Sequence, residues 1–572
     1  MRTRTRTKLW AGLATSGLLG LGLAGATTGT AGAAATTYYV SPTGSDSNAG
    51  TSPDQAWKST AKVNGFTFPQ GSTVAFQGGQ TTTGCLTFNG DNVPTSSATT
   101  PFKVTSYGTG QATLKSNCTG DFSAAVNADN VSGFQLDNLK LVNGGTTAAG
   151  VLLQNQKSST ATKGLKVTNS DISGFATPEG SSSAFGGQIM ILGYAVNANT
   201  GPLDDVQILG NKLHGDSVTS KSGPGIYGWS SGVNITNVRV EGNTVYNLGM
   251  KANSVGAALT AGGWNGAVIQ NNVVHDIGAN VTSCGGTSGI MAYEASKVTI
   301  RNNEVYRVQP SPAFTAGCDF DGIDLDGGTT DSVVEYNYTH DNAGNGLLAF
   351  TSTVNSRVWG PNTFRYNISE NDDWANAQGG LMNVVPNAPK KPLSVYGNTF
   401  YTDKDQTNNV KSGASACFNF GYTSGTWASG SQIKNNICHM ANKGDNGKAG
   451  QLYYNPYGQT GMTLSNNLYY GPSNTGGWRW GGTTYPDFAA WKAAGKESNA
   501  VWGDPLFTAP GGGNTCTWTP TSGKGPQPCP SAYTLKSGSP ALQKGASVPD
   551  NGGVDYYGAT IPGTPNIGAD AG

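Results

Sequence analysis

Short stretches of alternating apolar and polar residues recur along the chain, each closing on an asparagine. Leu165-Lys166-Val167-Thr168-Asn169 is one, and Val206-Gln207-Ile208-Leu209-Gly210-Asn211 is the next. Asn169 and Asn211 lie 42 residues apart, and copies ending at Asn243, Asn272, Asn303, Asn337, Asn367, Asn398, Asn436 and Asn467 follow at intervals of 29 to 38 residues. A period of two marks strand, and the segments between show no helical period. A repeat of roughly 30 residues holds three short strands and three turns. Stacking such repeats places equivalent strands in parallel about 4.8 Å apart. The asparagine would then lie on its own copy in the next coil and bond the turn backbone. Ten such coils predict a rod roughly 45–50 Å long.

A second strand repeats in phase, about fourteen residues before each asparagine: Gly225-Ile226-Tyr227-Gly228-Trp229, Gly289-Ile290-Met291-Ala292-Tyr293, Gly322-Ile323-Asp324-Leu325-Asp326 and Gly346-Leu347-Leu348-Ala349-Phe350. Positions one and three after the glycine are mostly apolar and should point inward, leaving positions two and four outward. The chain is expected to divide into an export signal at 1–33, an N-terminal cap with the first coils at 36–130, the solenoid core at 131–480 and a C-terminal capping region at 481–572. One good short helix is expected near 485–497.

Composition agrees with strands and turns. Of 572 residues, 84 are glycine and only 12% are charged. Arg2, Arg4, Arg6 and Lys8 precede an apolar run from Leu9 to Leu23 and a small-residue site at Ala31-Gly32-Ala33, the pattern of a secretory signal. Its removal leaves 30 basic against 34 acidic residues. That balance argues against a nucleic-acid partner, and no other stretch is long and apolar enough for a membrane partner. The expected partner is a polysaccharide, met by a secreted, extracellular monomer. The eight cysteines suit an oxidising compartment, and adjacent pairing is proposed among the 105 possible connectivities: Cys85 with Cys118, Cys284 with Cys318, Cys417 with Cys438 and Cys516 with Cys529.

The opening segment Tyr38-Tyr39-Val40-Ser41-Pro42, the asparagine ladder, the Gly-Ile strand and the tail segments Asp504-Pro505-Leu506-Phe507 and Asn566-Ile567-Gly568-Ala569 resemble secreted bacterial right-handed parallel β-helix proteins of the pectate-lyase-like superfamily. The resemblance covers nearly all of the chain after the signal and implies an all-β, right-handed parallel β-helix with capped ends. The superfamily includes hydrolases, lyases, epimerases and proteins that only bind, so the reaction must be argued from residues.

Cys318-Asp319-Phe320-Asp321-Gly322-Ile323-Asp324-Leu325-Asp326 gathers four carboxylates in a chain poor in charge. Asp324 and Asp326 take outward positions, with Cα atoms roughly 6.6–7 Å apart. Two such carboxylates repel, so one pKa should rise unless a cation lies between them. Asp324 and Asp326 are therefore the candidate acid/base pair, with Glu294 of the preceding coil and Asp321 assisting. The bland alternative is that these acids cap turns, which fits Asp319 best. Trp229, Tyr293 and Phe350 share the outward column of Asp326, and Trp264 and Trp374 are placed in loops beside it, as surfaces for the apolar faces of sugars. The four histidines each follow a ladder asparagine by three residues, where other coils carry tyrosine, so they are read as packing positions.

Three functions remain open. The leading one is a glycoside hydrolase without a cofactor. The second is a polysaccharide lyase in which Asp319, Asp321, Asp324 and Asp326 hold Ca²⁺, although no arginine among Arg301, Arg307, Arg357 and Arg365 stands out as its base. The third is a non-catalytic glycan-binding surface protein.

Overall fold

The computed structural model describes residues 35–572 apart from 180–184, 194–199, 231–234, 252–255, 315–317, 376–378, 386–390, 405–415, 422, 442–450, 472–474 and 514–529. The export-signal reading therefore lies outside the described residues, as do Cys516 and Cys529. Among the described residues no helix is long and apolar enough to cross a membrane.

The chain winds as a right-handed parallel β-helix with three long sheets of 14 strands each. One coil shows the plan. Ser296–Arg301 lies in the first sheet, Glu304–Val308 in the second and Asp321–Leu325 in the third; Ser332–Glu335 then returns to the first sheet beside Ser296–Arg301. Inward positions are fully buried, as in Ile290, Ile323, Leu325 and Leu347, so the core is one continuous stack of aliphatic and aromatic side chains.

The asparagine ladder forms the corner between the first and second sheets. The Oδ1 of Asn303 accepts from the backbone N–H and the side-chain amide of Asn272, at 3.0 and 2.9 Å, and the same pair of bonds recurs from Asn211 to Asn467. Each rung thus satisfies a buried turn that water cannot reach. The residue before each rung turns the corner with positive φ: Gly210, Gly242, Asn271, Asn302, Tyr336, Tyr366, Gly397, Asn435 and Asn466. Asn169, expected as a rung, is one of these corner residues (φ 50°), and the rung is Ser170, whose N–H donates to Asn211 Oδ1. At the other end Glu497 replaces asparagine and accepts from Asn467 N and Nδ2. Gly397 must lack a side chain, because a Cβ there would lie 2.3 Å from the Tyr366 ring.

A second ladder runs where the second sheet ends. Asn342 Oδ1 accepts from Val308 N, and Asp372 Oδ1 accepts from Asn342 N and Nδ2. The histidine–tyrosine column stacks as a packing column, but on the outer face of the second sheet: His214, Tyr246, His275, Tyr306 and His340 follow at 4.6 to 5.4 Å between rings.

Among the described residues two α-helices stand outside the coils, Thr60–Asn64 near the start and Phe488–Ala493 near the end. The second begins at Asp487, whose carboxylate accepts from Ala490 N, and buries Trp491 against Trp478 and Tyr453 over the last coils. Described residues of the rest of the tail pack along the side of the solenoid. Phe507, Tyr533, Ile567 and Ala569 pack outside the second sheet against Tyr338, Tyr401, Ile437 and Leu468. Outward tyrosines there offer an apolar face that the tail covers, and Tyr338 Oη meets Gly513 O at 3.0 Å. Three disulfides join Cys85–Cys118, Cys284–Cys318 and Cys417–Cys438 as expected from neighbour pairing.

Candidate active site

The four aspartates differ in their surroundings. Asp321 precedes the glycine of its strand and is fully enclosed; its Oδ1 accepts from Asn345 N (2.9 Å) and Asn345 Nδ2 (2.6 Å). These bonds tie it to Asn345 of the next coil. Asp319 lies in the loop entering the strand, with φ 62°, and its Oδ2 accepts from the N–H groups of Gly285 and Gly286 at 2.6 and 2.9 Å. That is the turn-capping role, and the Cys284–Cys318 bridge fastens the same two loops.

Asp324 and Asp326 face outward from the third sheet. Asp324 is flanked in its column by Met291 and Leu348, and only 3% of it meets solvent. Its Oδ1 is buried with no hydrogen-bond partner among the described residues. Burial holds the Asp324 pKa well above the carboxylate range, and the charges of Asp326, Asp321 and Asp319 push it further. Asp326 is half-buried at the strand end and accepts from Gly327 N. Burial, joined by the charge of Asp319, raises its pKa to about 6 against that hydrogen bond. Burial thus favours the protonated form of both outward carboxyls, and at Asp324 no hydrogen bond from the described residues to its Oδ1 opposes it.

The four aspartates do not form a cation cage. Among the described residues no three of these carboxylates come within 4.8 Å of one another. The grouping that does approach is Asp319 with Cys284 and Cys318, whose sulfurs are bonded to each other. Ca²⁺ wants six to eight convergent oxygens, so the proposed ligand set does not fit it.

Glu294 lies beside the pair without joining it. Its N–H donates to Gly327 O, and its Oε1 accepts from Asn355 Nδ2 at 2.8 Å. The Tyr293 hydroxyl bonds the same carboxylate; burial first, then the Glu294 charge, push that phenol up to about 12. Glu294 therefore anchors Tyr293.

Of the five aromatic residues placed at the groove by sequence, the structure leaves Trp229, Tyr293 and Phe350 half-buried on the outer face. Trp264 is not in a loop. It opens the strand Trp264–Gln270 and is fully buried, filling the space over Gly228, where a Cβ would lie 2.1 Å from its Nε1. Trp374 packs partly on the core and donates to Asp341 O at 3.0 Å, which ties it to the neighbouring loop.

Three other rings complete a trail. Phe122 contacts Phe185 at 5.2 Å, Phe185 contacts Tyr227 at 6.4 Å, Tyr227 neighbours Trp229 at 6.3 Å, and Trp229 stacks on Tyr293 at 5.4 Å and 17°. Trp229 and Tyr293 stand two coils apart, with Gly262 between them in the column. The missing side chain lets the indole lean across, since a Cβ on Gly262 would lie 2.8 Å from it. The trail runs from the exposed Phe122 towards the carboxyl pair. Tyr227 was visible in the sequence as a second-position residue; Phe122 and Phe185 sit in loops outside the repeat and carried no periodic signal.

No protein-family model matches the chain. A lacto-N-biosidase of Bifidobacterium longum subsp. longum is 25% identical over 356 residues, which cover 58% of this chain and 19% of that protein. The chain thus spans about a fifth of the length of this curated relative. Among solved structures, the GH136 lacto-N-biosidase from Eubacterium ramulus superposes with a TM-score of 0.48 at 16% identity, over 67% of this chain and 68% of that one. The pectate lyase Pel9A superposes with a TM-score of 0.35 at 13% identity, over 93% and 95% of the two chains. The DFA-IIIase from Arthrobacter chlorophenolicus A6 gives 0.36 at 12% identity, over 64% and 84%.

Proposed function

We propose that this protein is a secreted carbohydrate-active enzyme that cleaves a polysaccharide as a glycoside hydrolase, with Asp324 and Asp326 as its acid/base pair. The observation that carries the reading is the Asp324 carboxyl: enclosed on an outward strand face, without a partner at Oδ1 among the described residues, and two residues from a second outward carboxyl, Asp326. Leaving a buried polar atom unsatisfied costs about 1–3 kcal/mol. Glycoside hydrolysis needs one carboxyl that gives a proton to the leaving oxygen and one that stays ionised to activate water or attack the sugar. Asp324 holds the proton and Asp326 supplies the charge. The aromatic trail supports a chain-like substrate, since sugars present apolar faces to aromatic rings. The likeness to a protein named as a lacto-N-biosidase agrees with a glycan substrate.

The test is a panel of neutral and acidic polysaccharides given to the purified protein with and without EDTA. New reducing ends, unchanged by EDTA and lost in Asp324→Asn and Asp326→Asn, are the expected result. Ultraviolet absorbance of an unsaturated uronate that needs Ca²⁺ would replace hydrolysis by elimination. Tight binding without cleavage of the bound polymer would make the trail a binding surface only.

A further inference from the structure

The long loops that lead from the second sheet to the third enclose a cavity of about 550 Å³, which does not contain the carboxyl pair. It is built from five successive coils, from Asn143 to Asn280, and its volume is that of a small-ligand site. Its walls are tied from coil to coil by amides. Asn143 Nδ2 donates to Gly174 O at 3.1 Å, and Asn280 Nδ2 donates to the carbonyls of Thr219, Ser220 and Met250. The shape is therefore held without a ligand, so little ordering would be lost on binding.

The charge of the lining is unlike that of the chain. Lysine and arginine balance aspartate and glutamate at 34 each overall, yet the cavity carries Lys221 and Lys251 against the single carboxylate of Glu179. Lys251 Nζ is fixed at the wall by Pro178 O at 3.1 Å, and Lys221 makes no ion pair among the described residues. Thr177 and Pro178 add a hydroxyl and an apolar wall. Two ammonium groups over a mixed hydroxyl and apolar wall match a sugar that carries an anion: the anion meets the lysines, the ring meets proline, and the hydroxyls meet threonine. The loops concerned also border the aromatic trail. The loop that holds Glu179 carries Phe185, and Gly256, a few residues after Lys251, lies against the Tyr227 ring.

We infer that this cavity is a second glycan-binding site, selective for a sugar bearing a carboxylate or a sulfate, that holds an acidic unit or branch beside the trail. That its ligand is a sugar rests on the carbohydrate reading above; that the ligand is anionic does not.

Isothermal titration of the full Asp326→Asn protein separates the two. The probes are trigalacturonate, a sulfated trisaccharide, neutral xylotriose and inorganic sulfate. The expected result is binding of one or both acidic trisaccharides, weakened by added salt, and lowered about tenfold by Lys221→Met. Because Lys251 also ties down Pro178, Lys221→Met is the primary variant and Lys221→Met/Lys251→Met the second. The carboxylated and sulfated probes show which anion is read. Equal binding of xylotriose, unchanged binding in both variants, or no binding of either acidic trisaccharide would overturn the inference. Inorganic sulfate binding as tightly as the sugars would reduce it to an anion site. Cleavage by the unmodified protein is read separately, so cleavage with an empty cavity sinks only this proposal, and binding without cleavage sinks only the hydrolase.

Discussion

Two kinds of buried carboxyl occupy this solenoid. Asp372 and Glu497 are enclosed at its corners, and Asp324 is enclosed on its outer face. Burial raises all three, Asp372 to about 6 and Glu497 to about 7, with Asp324 well above the usual range. Their partners differ. Asp372 accepts four hydrogen bonds, from Asn342 N, Asn342 Nδ2, Thr339 Oγ1 and Ser369 Oγ. Glu497 accepts four as well, from Asn467 N, Asn467 Nδ2, Tyr469 Oη and Trp491 Nε1. Among the described residues no donor reaches Asp324 Oδ1. A raised pKa alone does not separate structure from chemistry; the count of donors does, because a fold that needs a carboxyl surrounds it with N–H and O–H groups.

Substitution breaks this comparison most sharply. Asp324→Asn and Asp326→Asn are expected to lower the rate of glycan cleavage by about 10²–10⁴-fold while the proteins stay folded. The melting behaviour carries a sign. The folded pKa of Asp324 lies above its ordinary value of 3.8, so its contribution favours the fold at low pH and is lost as pH rises from near that value through the folded one. Asparagine does not ionise and keeps that contribution. Thermal unfolding should therefore find Asp324→Asn equal to the parent near pH 4 and more stable than it at pH 8. A lower melting point at pH 8 would place Asp324 with the structural acids.

Glu497→Ala supplies the opposite limb. It strands the Asn467 amide, the Tyr469 hydroxyl and the Trp491 indole at the end of the ladder. The expected loss is about 3 kcal/mol or more in chemical denaturation, with unchanged activity per folded molecule. Activity lost in proportion to no stability change would contradict the structural assignment.

The pH profile sharpens the pair itself. If Asp326 must be ionised, kcat/KM should fall below a pKa of about 6. On the alkaline side it should fall again as Asp324 gives up its proton. A flat profile from pH 5 to 8 would remove Asp326 from the reaction.

Much of the coil was legible because solenoid physics writes itself periodically. Alternation gave the strands, the asparagines gave the corner, and the Gly-Ile phase put Ile323 and Leu325 inside and Asp324 and Asp326 outside. The misreadings have local causes. Asn169 looked like a rung because the corner residue before each rung is also often asparagine, as at Asn271 and Asn302. Trp264 follows Gly262-Gly263 and read as loop, but a tryptophan at a strand start can turn into the core where Gly228 leaves room. The tail was read as an end cap because nothing in its own pattern shows that outward Tyr338 and Tyr401 need covering.

The smallest expected effect tests the trail. Trp229 leans over Gly262 onto Tyr293, and Glu294 with Asn355 holds Tyr293 in place. An aromatic face offered to a sugar is worth about 0.5–1.5 kcal/mol beyond the area it covers, so Trp229→Ala should raise KM by roughly three- to tenfold and leave kcat nearly unchanged. Gly262→Ala should act in the same direction without removing any ring, because its methyl would push the indole off Tyr293. Steady-state kinetics on long and short oligosaccharides of the cleaved polymer check both. A KM effect that grows with chain length fits rings that meet successive sugars. A fall in kcat at every length, with KM constant, would mean instead that Trp229 holds the carboxyl pair in place and that the substrate approaches from the Phe350 side.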